Sequence, residues 1–194
     1  MTAPTSTITI GFAICGSFCT HARTLPVMRK LREQGYALQP ILSPIAATTS
    51  TRFGRAEDLL REVESICGCS AITTVADAEP LGPSRPMDAL VIAPCTGNTL
   101  AKIAQGITDT SVTMAAKAHL RADRPLVIAL ASNDALSANL ANIATLLSRK
   151  SVYFVPLVQD DPQGKPHSLV SQIERVPETL AAALCGRQIR PLFL

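Results

Sequence analysis

The residues of this 194-residue chain best placed to do chemistry are small and polar, and they fall in short blocks. One block is Cys15-Gly16-Ser17-Phe18-Cys19-Thr20. The others are Ser43-Pro44, Pro94-Cys95-Thr96-Gly97-Asn98-Thr99 and Ala131-Ser132-Asn133-Asp134. Hydroxyl side chains and the free backbone N–H groups of tight turns and helix N-termini hold phosphate and other anions well. A single block of this kind is an ordinary turn, because turns use glycine and serine for conformational reasons alone. Four of them at one edge of a parallel sheet describe a phosphate or nucleotide site.

Two familiar nucleotide motifs are missing. Gly11 to Gly16 has the Walker spacing, but Ser17 and Phe18 stand where Lys and Ser/Thr are required, which excludes a P-loop nucleoside triphosphatase. The same glycines fail the G-x-G-x-x-G spacing of a dinucleotide fingerprint. Acid–base groups are scarce. His21, His119 and His167 are scattered, with no H-E-x-x-H and no Ser–His–Asp order, and each reads as a solvated or capping histidine. Asp160-Asp161 reads as a solvated turn. A chain this poor in acids and bases would lean on a cofactor. The six cysteines, at 15, 19, 67, 69, 95 and 185, form no C-x-x-C pair. They are expected to be free thiols rather than zinc ligands or disulfides.

Composition narrows the class. Apolar residues are 47% and charged residues 17%, which describes a buried globular core. The net charge of +3 comes without a dense basic run, and aromatics are 4% with no Trp, so nucleic-acid stacking platforms are not expected. A mild positive bias suits an anionic small ligand. The N-terminal MTAPTST lacks the regions of a signal peptide, and the longest apolar run, near 126–131, is far short of the roughly 20 residues of a membrane span. The expectation is a cytoplasmic protein of one domain over 1–194, with residues 1–7 a disordered tail.

The elements that must position those blocks alternate. Apolar, β-branched runs at 8–14, 36–42, 89–93, 126–130 and 152–155 predict buried strands, with a short one at 71–75. A helix carrying Leu25, Met28 and Leu31 ends at Gly35. Further helices are predicted over 55–67, 99–105 and 112–120. Leu136, Leu140, Ile143 and Leu147 mark another, and Ser168 caps a last one carrying Leu169, Ile173, Val176, Leu180 and Leu184. Residues 79–86 and 159–167, rich in proline, read as loops. Alternating strands and helices predict a parallel sheet covered on both faces, with ligands at the carboxyl ends of the strands.

Several blocks carry a family resemblance. Pro94 to Ala104, with Gly106, Thr108 and Asp109, resembles the PASANT-x-x-K-x-A-x-G-x-x-D signature of the flavoproteins typified by flavin-dependent cysteine decarboxylases. The blocks at 16–20, 51–54, 78–83, 114–118 and 132–136 resemble the dipicolinate synthase B-subunit branch of that family. The resemblance implies a Rossmann-like three-layer α/β sandwich with a mostly parallel sheet, a homo-oligomer and bound FMN. It places Gly16, Ser17 and Ser43 at the flavin phosphate. It places Pro94, Thr96, Gly97, Asn98, Thr99, Ser132 and Asn133 around the flavin and substrate. Two departures tell against peptidyl-cysteine decarboxylation: there is no histidine between His21 and His119, and Ala131-Ser132-Asn133-Asp134 replaces the family's PAMN. The dipicolinate branch implies an oxidoreductase subunit acting on a cyclic dicarboxylate in a sporulating cell. Its partner is an A subunit resembling a nicotinamide-dependent dehydrogenase, with NADP on that subunit. Arg52 and Lys117 are the cations expected to take the substrate carboxylates. Two alternatives stand beside this reading: a non-catalytic partner that delivers substrate to the A subunit, and a prenyl-transferring relative that binds a second phosphate.

Overall fold

The computed structural model describes residues 7–82 and 84–194. Its centre is five parallel strands: β1 (Thr9–Ile14), β2 (Ala37–Leu42), β3 (Ala89–Cys95), β4 (Leu126–Ser132) and β5 (Val152–Phe154). They lie in the order β2-β1-β3-β4-β5. In register, Ile10 faces Leu38 on one side and Ala89 on the other. Two further strands, β6 (Leu157–Val158) and β7 (Leu169–Ser171), form a hairpin, and β7 pairs antiparallel with the end of β4 through Ser132 and Leu169.

Period-two alternation sorts the strands' side chains into two cores. Ile10, Phe12 and Ile14 point to one face, with Val91 and Val127. That face is covered by α1 (His21–Glu33), α3 (Ala56–Cys67) and α8 (Val176–Leu184), through Met28, Leu31, Val63 and Leu180. Leu90, Ile92, Ile128 and Leu130 point to the other face. It is covered by α5 (Gly97–Gln105), α6 (Ser111–Leu120) and α7 (Leu140–Leu147), through Leu100, Ile103, Val112 and Ile143. The sheet is therefore buried on both faces, which is why its strands read as continuous apolar runs. The three-layer α/β sandwich predicted from the sequence is the observed fold.

Several local expectations are corrected. Residues 71–75 are not a strand: Ile72 makes one isolated bridge to Ile41, and the chain turns into α4 (Val75–Ala78). Thr74 Oγ1 accepts from Asp77 N at 3.1 Å and starts that turn. Within 79–86, Glu79–Leu81 form a 3-10 turn that buries Leu81. Ser43 and Pro44, expected only to close the second strand, open a short helix, α2 (Pro44–Thr48), capped by Ser43 with Pro44 in the first turn. The helix expected from Leu136 starts at Leu140, because the Asp134 carbonyl holds Ser137 N and Asn139 N in turns, each at 3.1 Å. The last helix does not start at Ser168. Leu169–Ser171 instead complete the sheet, and α8 begins at Val176. The tail expected over 1–7 lies, for residues 1–6, outside the described residues. Among the described residues no helix is long and apolar enough to cross a membrane.

Candidate functional site

The carboxyl ends of β1, β3, β4 and the β6–β7 connection surround a cleft of about 680 Å³. Six of the predicted residues line it: Ser17, Thr96, Gly97, Asn98, Ser132 and Asn133. Each is placed by a specific local device. Ser17 sits in the left-handed region, at φ 23°, and its hydroxyl donates to the Ala131 carbonyl at 3.0 Å, tying the turn after β1 to the end of β4. Thr96 caps α5, its Oγ1 accepting from Thr99 N at 3.2 Å. The N–H groups of Gly97 and Asn98, in the first turn of α5, have no partners within the helix, and both residues line the cleft. A helix start of this kind favours an anion.

Gly97 is at this position because three side chains crowd there. A Cβ would run into Ser132 Oγ and lie 2.6 Å from Asn139 Nδ2 and 2.8 Å from Asp134 Oδ1. Those three side chains form one network. Asp134 accepts from Ser132 Oγ, and from Asn139 Nδ2 at 2.9 Å on each carboxylate oxygen. The buried Asn139 in turn accepts from Asn142 at 3.0 Å. The bond from Ser132, followed by that from Asn139, holds the Asp134 carboxyl below the usual carboxylate range despite its partial burial. Asp134 is thus an ionised strut, fixed against the start of α5.

The remaining predicted residues fall elsewhere. Gly16, Ser43, Pro94 and Thr99 stand behind the cleft wall rather than lining it. Gly16 lets the turn approach Thr96, whose Cγ2 would lie 3.3 Å from an added Cβ. Ser43 is buried and spends its hydroxyl on the Ala46 N–H at 3.4 Å. The Pro94 carbonyl accepts from Cys15 N at 3.1 Å, and buried Thr99 accepts from the Thr96 hydroxyl at 3.1 Å. Neither expected cation reaches the cleft. Arg52 folds over the Phe53 ring, 4.8 Å from its centroid, on the turn at 51–54. That turn borders a separate pocket of about 290 Å³ between α1, α2 and α3. Lys117 lies in the last turn of α6, beside a third pocket of about 170 Å³. Since α6 starts where Ser111 Oγ donates to the Leu42 carbonyl and ends beside Pro125, before β4, Lys117 is at the opposite edge of the sheet.

The charged groups that do line the cleft are Asp134, which ends one of the small polar blocks, and Asp160 and Lys165, which the sequence pattern reads only as a solvated turn and loop. Lys165 Nζ and Asp160 Oδ2 are 3.1 Å apart, and the pairing lowers the Asp160 carboxyl and raises the Lys165 ammonium. Among the described residues no histidine lines the cleft. His21 lines the pocket beside the Phe53 turn, its Nε2 bonded to the Cys15 carbonyl at 2.8 Å, and burial pushes its imidazole down. The thiols of Cys15 and Cys95 are fully buried, and burial drives Cys15 up to about 11, so neither is a nucleophile. No cluster of potential metal ligands exists among the described residues. The features of the cleft suited to an anion are the start of α5 and the Lys165 ammonium.

Known proteins share both the sequence and this shape. The Flavoprotein family profile matches residues 2–180. The B subunit of dipicolinate synthase from Bacillus subtilis (strain 168) is 40% identical over 185 residues, 95% of this chain and 92% of that protein. The crystal structure of the dipicolinate synthase B subunit from Bacillus halodurans C has a TM-score of 0.89 and 41% identity, over 96% of each chain. The FMN-dependent cysteine decarboxylase SpaF shares the fold, with a TM-score of 0.67 at 24% identity, over 92% of this chain and 95% of that one. With near-full-length agreement in sequence and in fold, the chain belongs to the Flavoprotein family and is a homologue of the dipicolinate synthase B subunit.

Proposed function

We propose that this chain is the B subunit of a dipicolinate synthase, that it binds FMN in the strand-end cleft, and that it works with an A subunit carrying NADP. The observation that carries the reading is the 40% identity to a dipicolinate synthase B subunit, sustained over 95% of the chain. The cleft fits the cofactor on its own evidence. Its volume of about 680 Å³ lies within the range of ligand and cofactor sites. The N–H groups of Gly97 and Asn98 at the start of α5, both lining the cleft, are suited to a phosphate. When bound, the flavin would supply the electron-accepting chemistry by which a dihydro- or hydroxytetrahydro-dipicolinate becomes pyridine-2,6-dicarboxylate. The chain's own residues would hold and orient the ligand: Ser17 and Asn98 by hydrogen bonds, and Asp134 by keeping Ser132 and the α5 start in place. Assembly as a homo-oligomer and action in the cytoplasm of a sporulating mother cell belong to the same reading.

A second reading is favoured by one feature of the cleft, the lack of a lining histidine among the described residues. In it the chain orders the A subunit or delivers its substrate, and performs no redox step. Titrating the purified chain with FMN while following flavin fluorescence separates the two. Saturable quenching supports the flavoprotein reading; a folded chain that leaves FMN fluorescence untouched defeats it. Assaying the A subunit with and without this chain then tests the partnership, and full turnover by the A subunit alone would end it.

A further inference from the structure

The charge inventory of the cleft is short. Among the described residues, one cation lines it, Lys165. Arg23 borders an adjoining pocket, where its Nε and Nη2 hold Glu174 at 2.9 and 2.8 Å in a two-point ion pair. Arg52 and Lys117 lie at other pockets. A negatively charged group that enters the cleft thus meets one lining ammonium, Lys165, beside the carboxylates of Asp160 and Asp134.

Lys165 is carried on a loop held from both sides. Lys165 N donates to the Asp161 carbonyl at 2.7 Å, and Ser168 N to the Lys165 carbonyl at 3.0 Å. Gly164 N bonds Asp161 Oδ1 at 2.9 Å, and a Cβ on Gly164 would collide with that carboxylate. Gln159 Nε2 reaches the Pro166 carbonyl at 3.1 Å, and Leu136 N reaches the His167 carbonyl at 2.9 Å, tying the loop to the turn after β4. The backbone around Lys165 is thus fixed. The ammonium rests on Asp160 Oδ2 at 3.1 Å, a half-exposed pair of the kind that contributes little to stability. A weak pair at the mouth of an anion-binding cleft is easily exchanged for a ligand oxyanion.

We infer that Lys165 is the residue that binds a carboxylate of the cyclic dicarboxylate, and that Asp160 is its resting partner, displaced when the ligand enters. The inference rests on the cleft being the ligand site proposed above, and it replaces Arg52 and Lys117 as the carboxylate-reading cations. Because Asp160 competes with the ligand for the same ammonium, the two residues act in opposite directions. Neutralising Lys165 weakens binding, and neutralising Asp160 strengthens it. A merely structural role for the pair would move both variants the same way.

The test is calorimetric titration of the full chain, loaded with FMN, with pyridine-2,6-dicarboxylate as the probe. Lys165→Met is expected to raise Kd at least tenfold, or about 1.4 kcal/mol. Lys165→Arg should recover most of the loss, and Asp160→Asn should lower Kd severalfold. FMN and riboflavin titrations of the same variants separate the alternative source of an oxyanion. If Lys165→Met weakens FMN but not riboflavin and leaves the dicarboxylate unchanged, the residue reads the flavin phosphate and the inference fails. Unchanged binding of the dicarboxylate in Lys165→Met, or weakened binding in Asp160→Asn, also overturns it. Circular dichroism confirms that each variant is folded. A wild-type chain that binds neither FMN nor the dicarboxylate defeats the proposed function instead, and so the two failures are distinguishable.

Discussion

Gly97 shows how much of this site depends on one missing side chain. It opens α5, and an alanine there would raise intrinsic helix propensity by up to about 1 kcal/mol. Against that gain stands the crowding of Ser132 Oγ, Asn139 Nδ2 and Asp134 Oδ1 around the position. Over-packing of this kind costs about 1–3 kcal/mol, and the Asp134 network cannot shift without losing bonds on both carboxylate oxygens. Gly97→Ala is expected to lower the urea midpoint with an unchanged m-value and to weaken flavin binding. A midpoint equal to wild type would mean that the network yields freely. At this scale six of the small residues singled out in the sequence line the cleft, and the two cations singled out lie at other pockets. Thr96, Gly97 and Asn98 are legible because glycine and hydroxyl residues cluster after an apolar run. Arg52 and Lys117 have the right type for a carboxylate, but type does not reveal direction: one stacks on its neighbour Phe53 and the other ends a helix at the far edge. Lys165 and Asp160 look like a solvated turn in sequence, because nothing local marks the hairpin that brings them over the cleft.

That hairpin is the clearest loss at the scale of elements. Five of the strands are legible because burial on both faces leaves continuous Val, Ile, Leu and Ala runs. The three residues of Leu169–Ser171 are too short to show a period, and Ser168 mimics a helix cap. The short helix after β2 is signalled by Ser43-Pro44, a capping residue followed by a first-turn proline, but it runs for only five residues. Helix α6 carries a different kind of information. Its His119 is 1% exposed, with Nε2 bonded to the Pro125 carbonyl at 2.8 Å and Nδ1 lacking a partner. Burial is the main cause that pushes this imidazole from 6.5 down to about 4, with the Pro125 bond opposing it and the Arg124 charge adding to it. In the window between about 4 and 6.5 the unfolded chain binds a proton at His119 that the folded chain refuses. Stability is therefore complete above that window, falls with pH through it and is level below it, for a total of about 3 kcal/mol. His119→Gln, which can keep the bond to Pro125, is expected to flatten the urea-midpoint profile between pH 5 and 6.5 by roughly that slope. The lowered carboxyls of Asp134, Asp160, Glu174 and Glu178 act mainly at lower pH, below their ordinary values of 3.8 to 4.5. His21, also depressed by burial, contributes to the same upper window, so part of the slope remains in the variant. An unaltered profile would show that His119 does not titrate on unfolding.

For the molecule as a whole, the fold class is legible because one physical requirement, two helical layers over a buried sheet, is written along the entire chain, whereas the site is assembled from loops far apart in sequence. Ser17 bonding the Ala131 carbonyl, 114 residues away, and Leu136 N bonding the His167 carbonyl are contacts that no local pattern announces. The same arrangement makes ligand binding a global event. A ligand held by the turn after β1, the start of α5, the end of β4 and the 159–168 loop touches segments that separate on unfolding, so it binds the folded chain alone. Linkage then gives about 2.7 kcal/mol of added stability at a free FMN concentration of one hundred times Kd. For a chain of 150–250 residues, 1 kcal/mol moves the midpoint by roughly 2–4 °C, so saturating FMN is expected to raise Tm by about 5–10 °C. The rise should continue logarithmically with FMN beyond saturation of the site, by about 1.4 kcal/mol for each further tenfold. Differential scanning calorimetry over a concentration series measures it directly. A Tm that stops rising once the site is full would mean that the unfolded chain also binds the flavin. A Tm indifferent to FMN at every concentration would mean that the cleft, though shaped by the family, does not retain its cofactor.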